Sequence, residues 1–249
     1  MNLVRSEWTK FRSLRSTWLT AAVTVVLGVG VGALSASAQA REGGGEDWDP
    51  TAASLTSIIV AQLAIGVLGV LVMTAEYATG TIQPSVVAAP RRGRLLAAKV
   101  AVLSGAAVAL GQLIGFVSFF VGQAVIAGAG APHATLSEPG VLRAVVGSGL
   151  YLAAVGVLGL GLGAVLRSTA GAIGTLVSVT LVIRLVAQTL PESWRDWMGR
   201  YWPTAAGESI AAVVPVPGTL GPWQGFAILC GFVAAVVAAG YATFRTRDT

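Results

Sequence analysis

"AASLTSIIVAQLAIGVLGVLVMT" (residues 52–74) carries no charged side chain. A helix needs about 20 consecutive apolar residues to cross a bilayer's hydrocarbon core of about 30 Å, and this stretch is long enough. Lipid offers backbone groups no water to bond to, so an apolar run of this length is a helix. Reading outward, the same pattern recurs, and six spans are expected at about residues 17–38, 52–74, 95–127, 141–166, 169–190 and 223–244. The composition agrees. The 249 residues are 55% hydrophobic and 11% charged, whereas a soluble domain carries about 25% charge. There is too little polar surface to cover a water-soluble globule. The expected fold is an all-α integral membrane protein, a single transmembrane domain over residues 1–249. The basic start followed by "SASAQA" (residues 35–40) mimics a signal peptide, but its apolar run is longer than the usual 7–15 residues, so an uncleaved first span is expected.

The charges orient these spans. With both termini in the cytoplasm, the inner segments hold Arg5, Lys10, Arg12, Arg15, Arg91, Arg92, Arg94, Lys99, Arg167, Arg245 and Arg247. The outer segments hold only Arg41, Arg143, Arg195 and Arg200, and Arg184 falls inside span five. The acids lean the other way, with only Glu7, Glu76 and Asp248 inside. The basic balance therefore reflects topology and contact with lipid headgroups, not a nucleic-acid surface.

Beyond residue 74 the chain turns polar: "EYATGTIQPSVVAAPRRGRLLAAK" (residues 76–99). Gly80 is placed to break the second helix. Thr81–Ala89 is expected to form a short lateral helix, and Pro90 suits the first turn of the next one. At the N-terminus, Leu3, Val4, Trp8, Phe11, Leu14 and Trp18 share one helical face, opposite Arg5 and Arg12. That is the pattern of a helix lying in the membrane interface over residues 1–16. Glu7 falls inside its apolar arc. Either it complements the helix dipole from the first turn, or it pairs with a basic residue of a neighbouring element.

On the expected outer side, "REGGGEDWDPT" (residues 41–51) reads as a mobile, solvated acidic loop without the spacing of a calcium site. Residues 191–222 concentrate Trp194, Trp197, Tyr201 and Trp202, with Trp223 just beyond, as at a membrane interface. Within this segment, "TAAGESIAAVV" (residues 204–214) is too short to span. It reads as a short helix or re-entrant hairpin resting on the outer leaflet. Small-residue pairs in the spans (Gly28/Gly32, Gly111/Gly115, Gly159/Gly163) suit close helix packing in lipid.

Several chemistries are missing. No G-x-x-x-x-G-K-[ST] occurs, so the P-loop route to ATP hydrolysis is closed to this chain. No His/Cys/Asp/Glu grouping suits zinc, and no catalytic motif is present. The lone Cys230 reads as a small apolar residue packed in a helix. Polar groups within spans mark transport paths, and here they are few. Arg184 either snorkels to the headgroups or lines a path. Gln62, Gln112 and Gln123 bond across helices or touch a substrate. The spans contain no carboxylate, which disfavours an ion-coupled carrier.

Three stretches resemble the membrane subunits, or permeases, of type-2 ABC transporters. Residues 76–99 resemble that family's E-x-x-x-G-T segment and its Pro-Arg-Arg approach to the third helix. "RSEWTKFRSLRSTW" (residues 5–18) resembles the amphipathic helix that opens many actinobacterial members, and "YWPTAAGESI" (residues 201–210) resembles a Y-x-P-[ST]-x-x-G stretch before the last helix. The resemblance implies a coupling helix over 76–89 that docks on a separate ATP-binding subunit, with Glu76, Tyr77, Thr79, Gly80, Thr81 and Ile82 at the contact. Gln83 and Pro84 depart from the family pattern there. It implies a connecting helix using Glu7, Trp8 and Phe11, and external re-entrant helices over 191–222. It further implies a second permease copy, identical or similar, and ATP and magnesium held by the ATPase partner, with no cofactor in this chain. A translocation path past Gln62, Gln112 and Arg184 would then carry an amphipathic or hydrophobic substrate out across a bacterial plasma membrane. The alternative is a non-transporting immunity or anchor protein that reuses the fold.

Overall fold

Helix ends in this chain follow the side chains that close them. Asp49 accepts a hydrogen bond from the Ala52 N–H at 2.9 Å, and Pro50 occupies the first turn, where its missing N–H costs nothing. Ser168 accepts from the Gly171 N–H at 3.3 Å to start another helix. Arg167 ends the preceding one in a left-handed conformation, φ 53°, a common way to stop a helix.

The computed structural model describes residues 2–13, 15–41, 48–78, 92–214 and 218–246. Among these, all regular structure is helical. Helix α1 (Asn2–Ser13) precedes α2 (Arg15–Arg41). Helix α3 (Pro50–Ser54) passes through a 3-10 turn into α4 (Ile58–Ala78), followed by α5 (Arg92–Gly128) and α6 (Val141–Leu166). Helices α7 (Thr169–Val177) and α8 (Ile183–Ala187) are joined by a π turn, Ser178–Val182. Short helices α9 (Glu192–Tyr201) and α10 (Pro203–Glu208) lead to α11 (Pro222–Thr246). Six segments are long and apolar enough to cross a membrane: Trp18–Arg41, Pro50–Tyr77, Gly93–Gly128, Val141–Leu166, Thr169–Ala187 and Pro222–Thr243.

Helix α6 is the hub. Of its most apolar stretch 72% is buried, against 22% for the first, fifth and sixth spans, so those three present most of their surface to the surroundings. Glycines set how close its neighbours come. A Cβ on Gly69 would run into the Gly156 carbonyl, and one on Gly159 into the Gly66 carbonyl; the α4 and α6 backbones touch there. Gly111 of α5 meets the Gly149 carbonyl of α6 in the same way, at 2.5 Å from its would-be Cβ. Gly28 of α2 has only ordinary contacts.

Two expectations need correcting. The segment after Pro203 does not rest on the bundle's surface: Thr204 and Ile210 are fully buried, and Ile210 packs on Gly147 of α6. A short apolar helix gains more by filling a gap beside a glycine than by lying flat. Cys230 is exposed on α11 rather than packed. Span five is helical, as expected, and carries the π turn within it.

Candidate functional site

Two polar clusters sit at opposite ends of the bundle. The first forms where α1 crosses the end of α4 and the start of α5. Leu3 and Phe11 pack against a core containing Leu68, Met73, Leu95 and Leu96, which turns Glu7 inward. Lys99 lies two turns into α5, Glu76 in the last turn of α4. The Lys99 ammonium donates to Glu7 Oε2 at 2.8 Å and to Glu76 Oε1 at 2.7 Å. Lys10 closes the ring, donating to Glu7 Oε1 at 3.1 Å and Glu76 Oε1 at 3.0 Å. Lys99 is 2% exposed and Glu7 5%. Charges so buried are tolerated only when paired, and here two cations face two anions. Burial pulls the Lys10 ammonium down, but its hydrogen bonds to Glu76 and Glu7 outweigh this and hold its pKa above the usual 10.5. Its share of stability is therefore complete below pH 10.5 and is lost as pH rises through the raised value.

Glu7 thus pairs with a neighbouring element. It is not in the first turn of α1, which holds no acid, so the dipole reading does not apply. Next to Glu76, the Arg167 guanidinium lies over the Tyr77 ring, 5.5 Å from its centroid. Glu76 Oε2 and the Tyr77 hydroxyl are buried without a hydrogen-bond partner among the described residues. Thr79, Gly80, Thr81 and Ile82, and with them the rest of the expected coupling helix to residue 89, lie outside the described residues.

The second cluster anchors the aromatic segment. The fully buried Tyr151 of α6 donates its hydroxyl to Gln62 Oε1 at 2.7 Å and lies 3.3 Å from Glu208 Oε1. Glu208 also binds Arg184 Nη1. Tyr151 is about 15 Å along α6 from its start at ~1.5 Å per residue, so Glu208 reaches well into the bundle. It is not a solvated external acid, and a carboxylate does approach the spans after all. Three further straps hold the same segment. Asp49 Oδ2 accepts from the N–H groups of Val213 and Val214 at 2.9 and 3.0 Å. Asp49 is therefore structural, unlike the solvated loop expected around it. Arg143 donates to the carbonyls of Ile210 and Ala212 at 3.0 and 2.9 Å. The Trp202 indole and the Thr204 hydroxyl donate to the Val179 carbonyl at 2.8 and 3.3 Å. Val179 lies in the π turn, where a helix's own ladder is disturbed and its carbonyls are open to outside donors.

Of the three expected path residues, Gln62 and Arg184 join one chain of contacts through Tyr151 and Glu208. Gln112 sits apart, donating to the Val146 carbonyl at 2.9 Å. Gln123 clamps α5 to the Pro50 carbonyl and Ser54 Oγ at 2.8 and 2.9 Å and accepts from the Ala134 N–H at 2.7 Å. No group of three or more metal-ligating side chains occurs among the described residues. We expect Arg184→Gln and Glu208→Gln each to cost about 1.5–3 kcal/mol, the range for a charged hydrogen bond. The swap Arg184→Glu with Glu208→Arg should recover much of that, as read by thermal unfolding in detergent.

Residues 3–187 match the family model of the ABC-2 family transporter protein. The chain belongs to the ABC-2 transporter family. No curated protein matches it. As an ABC-2 protein with six candidate spans it is a multi-pass membrane component of an ABC transporter. Membership implies an ATP-binding cassette partner, since this family's membrane subunit is typically non-catalytic. The matched stretch contains the whole Glu7–Lys10–Glu76–Lys99 cluster, together with Gln62, Tyr151 and Arg184. Glu208 and the short helices around it lie beyond it.

Sequence reasoning missed Lys99, Tyr151 and Glu208 as site residues. Lys99 reads as one more inner-side cation, yet Lys10 and Lys99 are the only lysines among fourteen arginines. A compact, flexible ammonium suits a point between two carboxylates better than a planar fork. That bias was the available signal. Tyr151 carried none, being one aromatic in an apolar run.

Proposed function

We propose that this chain is the permease of an ATP-driven exporter, and that its partner's ATP cycle enters through residues 76–89. The Glu7–Lys10–Glu76–Lys99 cluster carries this reading. It binds α1, the end of α4 and the start of α5 into one unit on either side of that segment, so a push on the segment moves two spans and the interfacial helix together. The charge distribution supports placing this end, with both termini, in the cytoplasm of a bacterial cell. Two permease copies and two ATPases would complete the transporter. ATP binding closes the ATPase pair and tilts the spans from inward- to outward-facing. The apolar character of the spans favours an amphipathic or hydrophobic substrate.

The test separates docking from folding. Replacing Thr81–Val87 with a Gly/Ser linker, or Ile82 with Asp, leaves the four-residue cluster intact. Both should abolish co-purification of the ATPase and substrate-stimulated ATP hydrolysis while the permease keeps its melting temperature. Wild-type pull-down from both variants would overturn the coupling assignment. Full protection of cells by the chain alongside an ATPase that lacks its P-loop lysine would instead support the immunity or anchor role.

A further inference from the structure

A cavity of about 240 Å³ opens between α1, α2, α4 and α5. Trp8, Phe11 and Trp18 line its mouth, Leu68 its wall, and Ala106 and Leu113 lie along its length. The small side chains of α5 make the room. Its lining is apolar throughout, so it offers nothing to hold an ion or a polar solute. Drug-sized pockets run to about 300–1,000 Å³, so this one suits a single slender chain.

Depth and charge identify that chain. Leu113 lies about 20 Å along α5 from Lys99, at ~1.5 Å per residue. The cavity thus runs from the level of the ionic cluster towards the bilayer's middle, about one leaflet deep where the whole hydrocarbon core is about 30 Å. At its mouth, Trp8 and Trp18 are 45% and 56% exposed, amphipathic rings of the kind that favour the headgroup level. Trp8 stands at the edge of the apolar face, so Arg5 and Arg12, three residues before it and four after, lie on the polar side of α1 directly next to it, and both are exposed. The opposite flank of α1 carries Glu7 and Lys10, whose charges already compensate each other in the cluster. Two exposed cations that form no ion pair among the described residues therefore stand beside an apolar slot.

We infer that this slot binds one acyl chain of an anionic phospholipid, whose headgroup phosphate sits at Arg5 and Arg12. The lipid wedges between α1 and the spans and holds the interfacial helix at its working depth. This does not depend on the ATPase or on the direction of transport.

Native mass spectrometry of the detergent-purified full chain tests it, with dioleoyl phosphatidylglycerol as probe and dioleoyl phosphatidylcholine as control. The wild type should retain phosphatidylglycerol preferentially. Arg5→Gln with Arg12→Gln should reduce that preference about tenfold, bringing it near the control lipid. Ala106→Trp should lower retention of both lipids by filling the slot. If Ala106→Trp fails to fold, Ala21→Leu narrows the same cavity with a smaller side chain, and melting temperatures confirm folding. The inference is overturned if folded variants bind phosphatidylglycerol as the wild type does, or if the wild type holds both lipids equally. It is also overturned if a hydrophobic amine, added at the same concentration, displaces the lipid and is itself retained in the slot.

Discussion

Lys99→Met is expected to destabilise the protein by about 3–5 kcal/mol, the range for breaking a buried ion pair from one side. The ammonium is the shared partner of Glu7 and Glu76, so its loss leaves two buried carboxylates with only the half-exposed Lys10 between them. Their mutual repulsion would then push α1 away from the bundle. Reversing the loss is the sharper measurement. Glu7→Gln and Glu76→Gln added to Lys99→Met remove the uncompensated anions and should recover most of the stability, because a buried ion pair replaced by neutral groups of similar shape is often no worse than the pair itself. Thermal unfolding of the single, double and triple variants gives the coupling energy directly. Additive losses would show that the three side chains do not act as a unit.

Gly159→Leu is the second large effect. Overpacking a core usually costs about 1–3 kcal/mol because side chains shift to make room. Here the obstacle is the Gly66 carbonyl of α4, and backbone cannot rotate out of the way. The cost should reach or exceed the top of that range and separate α4 from α6, seen as loss of the monodisperse species on size exclusion. Gly231→Ala on α11 is the control: nothing lies within 4 Å of its added Cβ, so it should be neutral or slightly stabilising, as expected for Gly→Ala in a helix.

The spans were legible because length and apolarity alone specify them in lipid. Residues 52–74 needed no neighbour to be read as a helix, and the helix found there runs only a few residues further. Gly159 was legible as a contact glycine for the same reason: a missing side chain is visible in the sequence. Its partner Gly66 was not, since a glycine pair across two helices leaves no shared spacing. Glu7 was legible as an anomaly, an acid on an apolar arc, but not its partner, because Lys99 lies 92 positions away. The aromatic segment was legible as interfacial from its tryptophans. Its burial was not, because the straps from Asp49, from Arg143 and Tyr151 of α6, and from Arg184 come from three separate elements, each an ordinary residue in its own stretch.

The wide turn at Ser178–Val182 has a geometric corollary. A helix advances about 100° per residue, and a π turn accommodates one residue more than the ordinary turn it replaces. Trp202 and Thr204 pin the carbonyl of Val179 in that widened form. If the aromatic segment lifts and releases this carbonyl, span five is free to wind back to regular pitch. Everything beyond the turn would then swing about 100° around the axis, carrying Arg184 off Glu208.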